Sequence, residues 1–111
     1  MVESYIPARG DLVYLDFDPQ AGHEQAGRRP ALVISPRLYN QQAGLCIVCP
    51  ITSREKGYPF EVKIVGQTIS GVVLSDQMKS CDWQARKIKF VESLGDDDLE
   101  QVMAKLALLV Q

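Results

Sequence analysis

The sequence predicts a mainly β fold closed by one C-terminal helix. Three observations carry this expectation. Short apolar or alternating runs recur between Gly10 and Leu94, and glycines and prolines separate them. After Leu94 the hydrophobic period changes from two to that of a helix. A chain of 111 residues favours one domain, 1–111, with one core. Many short strands with one terminal helix imply a small, strongly bent antiparallel sheet or a partly open barrel, whose closure hides edge strands.

Each element follows from its residues. "GDLVYLDFDP" alternates from Gly10 and is closed by Asp18-Pro19. "PALVIS" is a short apolar run, read as a buried strand stopped by Pro36. "PRLYNQQAG" carries turn chemistry at Asn40 and Gly44, with room for one helical turn. "LCIVCPIT" is a further strand, and Pro50 near its end suggests an edge or a bulge. "SREKGYP" is a loop. In "FEVKIVG", Phe60, Val62 and Ile64 face one way and Glu61 and Lys63 the other. "GVVLSDQMKS" begins as a strand after Gly71. In "RKIKFVESL", Ile88 and Phe90 oppose Lys87, Lys89 and Val91. In the final segment Leu99, Val102, Met103, Leu106, Leu109 and Val110 share one helical face. Asp97 is the expected N-cap, with Glu100 at the third helical position as in a capping box.

Composition narrows the function classes. The chain is 46% hydrophobic and 23% charged, as in soluble globular proteins. No apolar run approaches the roughly 18 residues that span a membrane. No signal peptide is visible at the N-terminus, so a cytoplasmic location is expected. The net charge is −2, yet residues 19–91 carry ten bases and five acids between two acidic ends. A basic middle can present a local positive surface, although the same charges can simply solvate loops and strand faces.

Cys46, Cys49 and Cys81 are an odd number without a secretion signal, which argues against a disulfide framework. Cys46 and Cys49 have C-x-x-C spacing but lie in a strand. Positions i and i+3 there point to opposite faces, so the two thiols do not converge on a metal. A structural role for the cysteines is expected, and no metal site or cofactor.

The chain's one histidine opens "HEQAGRRPALVIS", residues 23–35. His23, Glu24, Arg28 and Arg29 there share a loop anchored to a strand. Such a loop is either a solvated hairpin or a site for a polyanion.

Read with "RGDLVYLDFDP", "CPITS", "KGYPFEV" and "GVVLSDQMKSCDW", this block carries a resemblance. The ordered pattern G-x-E-Q-x-G-x-R-P-x-x-V, followed by P-I-T and D-Q, is specific. Over nearly its whole length the chain resembles the MazF/PemK/Kid family of toxin endoribonucleases from bacterial toxin–antitoxin pairs, and its MazF branch most. The resemblance implies an SH3-like barrel, the PemK/CcdB-like toxin fold, and a homodimer. It implies metal-independent, sequence-specific cleavage of single-stranded RNA, with inhibition of translation and growth. It also implies a cognate MazE-like antitoxin whose C-terminal tail blocks the RNA groove. The related CcdB toxins share the fold but bind DNA gyrase, so a non-enzymatic gyrase binder is the alternative.

The resemblance assigns roles to residues. Metal-free cleavage uses the ribose 2′-OH as nucleophile, so the protein must orient it, move protons and stabilise charge at phosphorus. The family's catalytic arginine maps onto Arg29, whose planar fork of donors suits two phosphate oxygens. Its partner hydroxyl maps onto Thr52, which can equally be a strand threonine making a capping bond. Glu24 can accept the 2′-OH proton or, as we favour, read a base edge. His23 can act as acid or base, or be a solvated loop residue. The Kid branch uses an aspartate at Asp76 as its base, helped by an arginine two residues earlier. Here that position is Leu74, which favours Arg29 with Thr52. Gln77 offers a donor and an acceptor to a base. Phe17, Arg28 and Asp76 join the RNA-binding set, with Lys56, Lys79 and Arg86 as phosphate contacts. Trp83 can stack a base or simply pack.

Overall fold

Strand β3 (Leu45–Thr52) is the hub of the fold, and its burial shows why. Cys46, Val48, Cys49 and Ile51 are all buried, so the strand is covered on both faces and its apolar run is continuous. The computed structural model describes residues 5–16 and 28–111. Around β3 lie β1 (Asp11–Asp16), β2 (Arg28–Val33), α1 (Arg37–Ala43), β4 (Glu61–Val65), β5 (Ser70–Leu74), β6 (Lys79–Asp82), β7 (Lys89–Ser93) and α2 (Asp96–Leu109). The strands run antiparallel in the order β4-β5-β3-β2-β1-β7, with β6 also on β3. The sheet curls into a half-barrel with the C-terminal helix against it, the mainly β arrangement expected from sequence.

β3 does not lie at an edge, contrary to the expectation drawn from Pro50. One side of it pairs with β2 through Ala31↔Pro50 and Val33↔Val48. Its other side pairs first with β6, from Leu45↔Asp82 to Val48↔Lys79, and then with β5 at Ile51↔Val73 and Thr52↔Val72. Cys49 and Pro50 fall between the two partners. Such an interruption tolerates a residue with no backbone donor.

Two apolar clusters cover the two faces of the sheet. One gathers Leu12, Leu32, Cys49, Ile51, Val62, Ile64 and Val73 under Val102 and Leu106 of α2. The other holds Val13, Leu15, Ala31, Val33, Cys46, Val48, Cys81 and Trp83. Cys46 and Cys49 therefore do lie on opposite faces. Cys46 instead meets its cross-strand partner Cys81, with the two Sγ atoms 4.0 Å apart and all three cysteines free. The hydrogen bond to Cys81 and burial both push the Cys46 thiol up.

Two local expectations are corrected and a third is extended. Asn40 belongs to α1, a longer helix than the single turn foreseen, and is fully buried. Its Nδ2 donates to the carbonyls of Pro7 (2.8 Å) and Ser35 (3.1 Å), and Ser35 Oγ donates to its Oδ1. In β7, Val91 packs on the first cluster while Phe90 turns to the other face against Tyr5, opposed as expected, although Phe90 stays 44% exposed. A bulge follows them: Leu12 pairs with Glu92 but Val13 with Phe90, so Val91 is the extra residue in the register with β1. Helix α2 starts earlier than Asp97. Gly95 is its N-cap, without a side-chain cap, and Leu99 N–H bonds the Gly95 carbonyl at 3.0 Å. Asp96, Asp97 and Asp98 occupy the first turn, where their charges favour the helix dipole. Leu99, Val102, Met103 and Leu106 pack inward as expected, but Leu109 and Val110 are exposed. Among the described residues no helix is long and apolar enough to cross a membrane.

Candidate active site

A cavity of about 520 Å³ opens where β3 passes from β6 to β5. Strand register builds its floor. Ala31 pairs with Pro50, so two residues further along Arg29 comes level with Thr52 across the β2–β3 ladder. Both side chains line the cavity, Arg29 exposed and Thr52 half-buried. Pro30 follows Arg29, and Leu32 and Val33 beyond it are fully buried, so the arginine is carried by an anchored strand. Arg29 Cα is also paired with Leu15 of β1, which fixes the strand on its other side.

The end of β3 leads into the β3–β4 loop. Thr52 Oγ1 accepts the Arg54 N–H at 3.1 Å and turns the chain out of the ladder. Arg54, Lys56 and Tyr58 of that loop form one wall, and Lys56 Nζ sits 6.0 Å from the Tyr58 ring centre. Glu61 at the start of β4 closes this side. The rest of the lining is Leu74 at the end of β5, the cross-strand partner of Glu61, with Asp76 and Gln77 in the following turn and Lys79 at the start of β6. The turn is closed by Gln77 N–H to the Leu74 carbonyl at 3.1 Å.

Four cations, Arg29, Arg54, Lys56 and Lys79, face two carboxylates here, so the lining is positive on a chain whose net charge is −2. Low-dielectric walls concentrate such a field. Beneath the floor, burial first and the nearby Asp76 carboxylate second push the Cys49 thiol up to about 12. That thiol stays protonated at neutral pH and is no nucleophile.

The cavity gathers six of the residues singled out in the sequence: Arg29, Thr52, Lys56, Asp76, Gln77 and Lys79. Others lie elsewhere. Arg28 points to the other side of β2, where its Nη1 donates to the Lys87 carbonyl at 2.7 Å and lies 3.4 Å from Asp16 Oδ1. Arg86 Nη1 donates to the Asp16 carbonyl at 3.0 Å. Neither lines the cavity. Of the two readings of Trp83 the structure supports packing: it is 6% exposed within the second apolar cluster, its indole N–H bonds the Asn40 carbonyl at 3.1 Å, and little of its ring is left for a base to stack on. Phe17, His23 and Glu24 lie outside the described residues. Arg54, Tyr58 and Glu61 were missed in the sequence. The cationic, aromatic loop "SREKGYP" carried the signal for the first two, whereas Glu61 read only as an outward strand position.

Comparison with known proteins agrees with this geometry. Residues 8–110 match the family model of the PemK-like, MazF-like toxin of type II toxin–antitoxin systems. The endoribonuclease toxin MazF of Escherichia coli K12 is 46% identical over 110 residues, covering 99% of each chain. Endoribonuclease EndoA of Bacillus subtilis is 32% identical, covering 87% of this chain and 88% of its own. The crystal structure of MazF from Deinococcus radiodurans superposes with a TM-score of 0.85 at 51% identity, covering 96% of this chain and 98% of the other. With family model, full-length relatives and fold in agreement, this chain belongs to the PemK-like, MazF-like toxins of type II toxin–antitoxin systems.

Proposed function

We propose that this chain is a toxin endoribonuclease that cuts single-stranded RNA at a short sequence without a metal, residues 1–111 acting as one toxin domain. The observation that carries the reading is that Arg29 and Thr52, brought level by the β2–β3 register, line one positively charged cavity. Membership in a family whose relatives are named endoribonucleases supports it.

The chemistry follows from what the cavity offers. RNA brings its own nucleophile, the 2′-oxygen, which attacks the adjacent phosphorus as the bond to the 5′-oxygen breaks. The Arg29 guanidinium binds two phosphate oxygens and stabilises the charge that builds there. The Thr52 hydroxyl donates a hydrogen bond to a phosphate oxygen. Lys56 and Lys79 hold flanking phosphates, and Gln77 reads a base edge. Leu74 shares the cavity wall with Asp76, so the aspartate has an apolar neighbour where the Kid branch has an arginine. Asp76 therefore serves in binding, Glu24 reads a base edge, and proton transfer falls to His23. The products carry a 2′,3′-cyclic phosphate and a 5′-OH.

The working form is a cytoplasmic homodimer, held in check by a MazE-like antitoxin whose tail occupies this cavity. Structures of MazE–MazF complexes from Deinococcus radiodurans, 44% identical in one case, support an antitoxin partner. Incubation with long unstructured RNA in EDTA, followed by mapping of the ends, tests the reaction. Ends bearing 5′-phosphate would overturn the mechanism. Intact RNA would overturn the activity and point to a gyrase-binding toxin.

A further inference from the structure

Glu61 is the anomaly of the cavity, a carboxylate in a wall that receives phosphate. Its hydrogen bonds explain its presence. Oε1 accepts the backbone N–H of Gly57 at 2.9 Å and of Lys56 at 3.1 Å, and Oε2 lies 3.3 Å from the same Lys56 nitrogen. The side chain reaches back across the loop from the first residue of β4. Its negative charge is directed at two amides instead of the open cavity.

Those amides belong to the stretch that carries Lys56 and Tyr58. Gly57 has φ +80°, a left-handed conformation that most side chains avoid, so the loop needs something to hold it there. No ladder bond is assigned to residues 53–60. Side chains tie it instead: Thr52 Oγ1 at Arg54, and Glu61 at Lys56 and Gly57. The Glu61 N–H in turn donates to the Tyr58 carbonyl at 3.1 Å, so one residue grips the loop through both side chain and backbone.

We propose that Glu61 is a positioning residue, a latch that sets the loop so that Lys56 and Tyr58 meet the substrate strand ready-made. A loop ordered beforehand loses less freedom on binding, so the latch favours capture of RNA while leaving the reacting atoms alone. The proposal rests on the RNA-cleaving reading for its consequence. The latch itself is testable without RNA.

The test uses the full chain with Glu61→Ala and Glu61→Gln. Amide exchange at Lys56 and Gly57 is read by NMR in RNA-free protein, steady-state cleavage on a short single-stranded oligoribonucleotide, and the thermal midpoint in parallel. For Glu61→Ala, exchange at both amides speeds up by about tenfold or more. KM rises about tenfold while kcat stays within about twofold, the pattern of lost binding with chemistry intact. Glu61→Gln, which keeps an acceptor for Gly57, recovers most of the loss. Unchanged exchange at the two amides overturns the latch whatever the protein cuts. Exposed amides with an unchanged KM overturn its role in binding. A joint fall in kcat and thermal midpoint makes Glu61 merely structural and also overturns the proposal. Absence of cleavage by the parent protein overturns the reading under Proposed function, a result separate from the exchange data.

Discussion

Thr52 Oγ1 accepts the Arg54 N–H at 3.1 Å, which commits a lone pair of the hydroxyl and leaves its proton to be donated. The bond thus orients the one neutral donor set level with Arg29. Thr52→Val keeps the shape and removes the donor, and it lowers kcat/KM for RNA by about a hundredfold, the scale of one lost transition-state donor. Thr52→Ser keeps the donor and retains activity within about fivefold. Equal losses in the two variants would remove the hydroxyl from the mechanism.

Arg29→Ala lowers cleavage by about a thousandfold with an unchanged circular dichroism spectrum, because the side chain is exposed and lies outside both apolar clusters. Arg29→Lys recovers little of the rate, since an ammonium lacks the planar fork. Single-turnover kinetics distinguish this from weakened binding.

Gly71 lies against the end of β3. A Cβ there would sit 2.5 Å from the Thr52 carbonyl oxygen and 3.2 Å from its carbon, backbone that cannot swing away. Gly71→Ala therefore displaces Thr52. It lowers both kcat and the thermal midpoint, whereas Gly44→Ala, with nothing within 4 Å of its Cβ, leaves kcat alone.

Asn40 is 0% exposed, and three hydrogen bonds of its side chain join residues 7, 35 and 40. Asn40→Ala leaves the Pro7 carbonyl and the Ser35 hydroxyl short of partners and costs about 2–4 kcal/mol. Urea denaturation reads this as a lower midpoint with an unchanged slope.

Glu92 clamps the β4–β5 turn by accepting the N–H groups of Ile69, Thr68 and Gln67 at 2.8–2.9 Å. These bonds, Ile69's foremost, hold its carboxyl below the usual 4.5. The folded state thus binds its proton less readily than the unfolded chain. The clamp's contribution is complete above about pH 5 and is lost as pH falls through the depressed value. Thermal midpoints measured between about pH 7 and pH 3 should fall less steeply for Glu92→Gln than for the parent protein.

Local patterns were legible in the sequence, and long-range ones were not. Alternation placed Cys46 and Cys49 on opposite faces and outlined β3 at its observed limits, because side-chain direction in a strand is a property of the strand alone. The same rule set Phe90 against Val91, but it could not show the bulge beside them, which depends on how β7 pairs with β1. Trp83 stayed open between stacking and packing because its partner, the Asn40 carbonyl, lies 43 residues away. The site was half legible for a similar reason. Arg28 and Arg29 were both assigned to the RNA, yet neighbouring strand residues face opposite ways, and only Arg29 reaches the cavity. Glu61 was passed over because its role lies in amides it accepts, which leave no mark on composition.

The handover of β3 from β6 to β5 has a consequence for how the cavity tolerates change. Arg29 and Thr52 ride on paired strands, where any insertion would slip a ladder. Lys56 and Tyr58 ride on a connection tied down by a few side-chain bonds. A change in the length or sequence of that connection would therefore alter one wall of the cavity while Arg29 and Thr52 keep their places on the ladders.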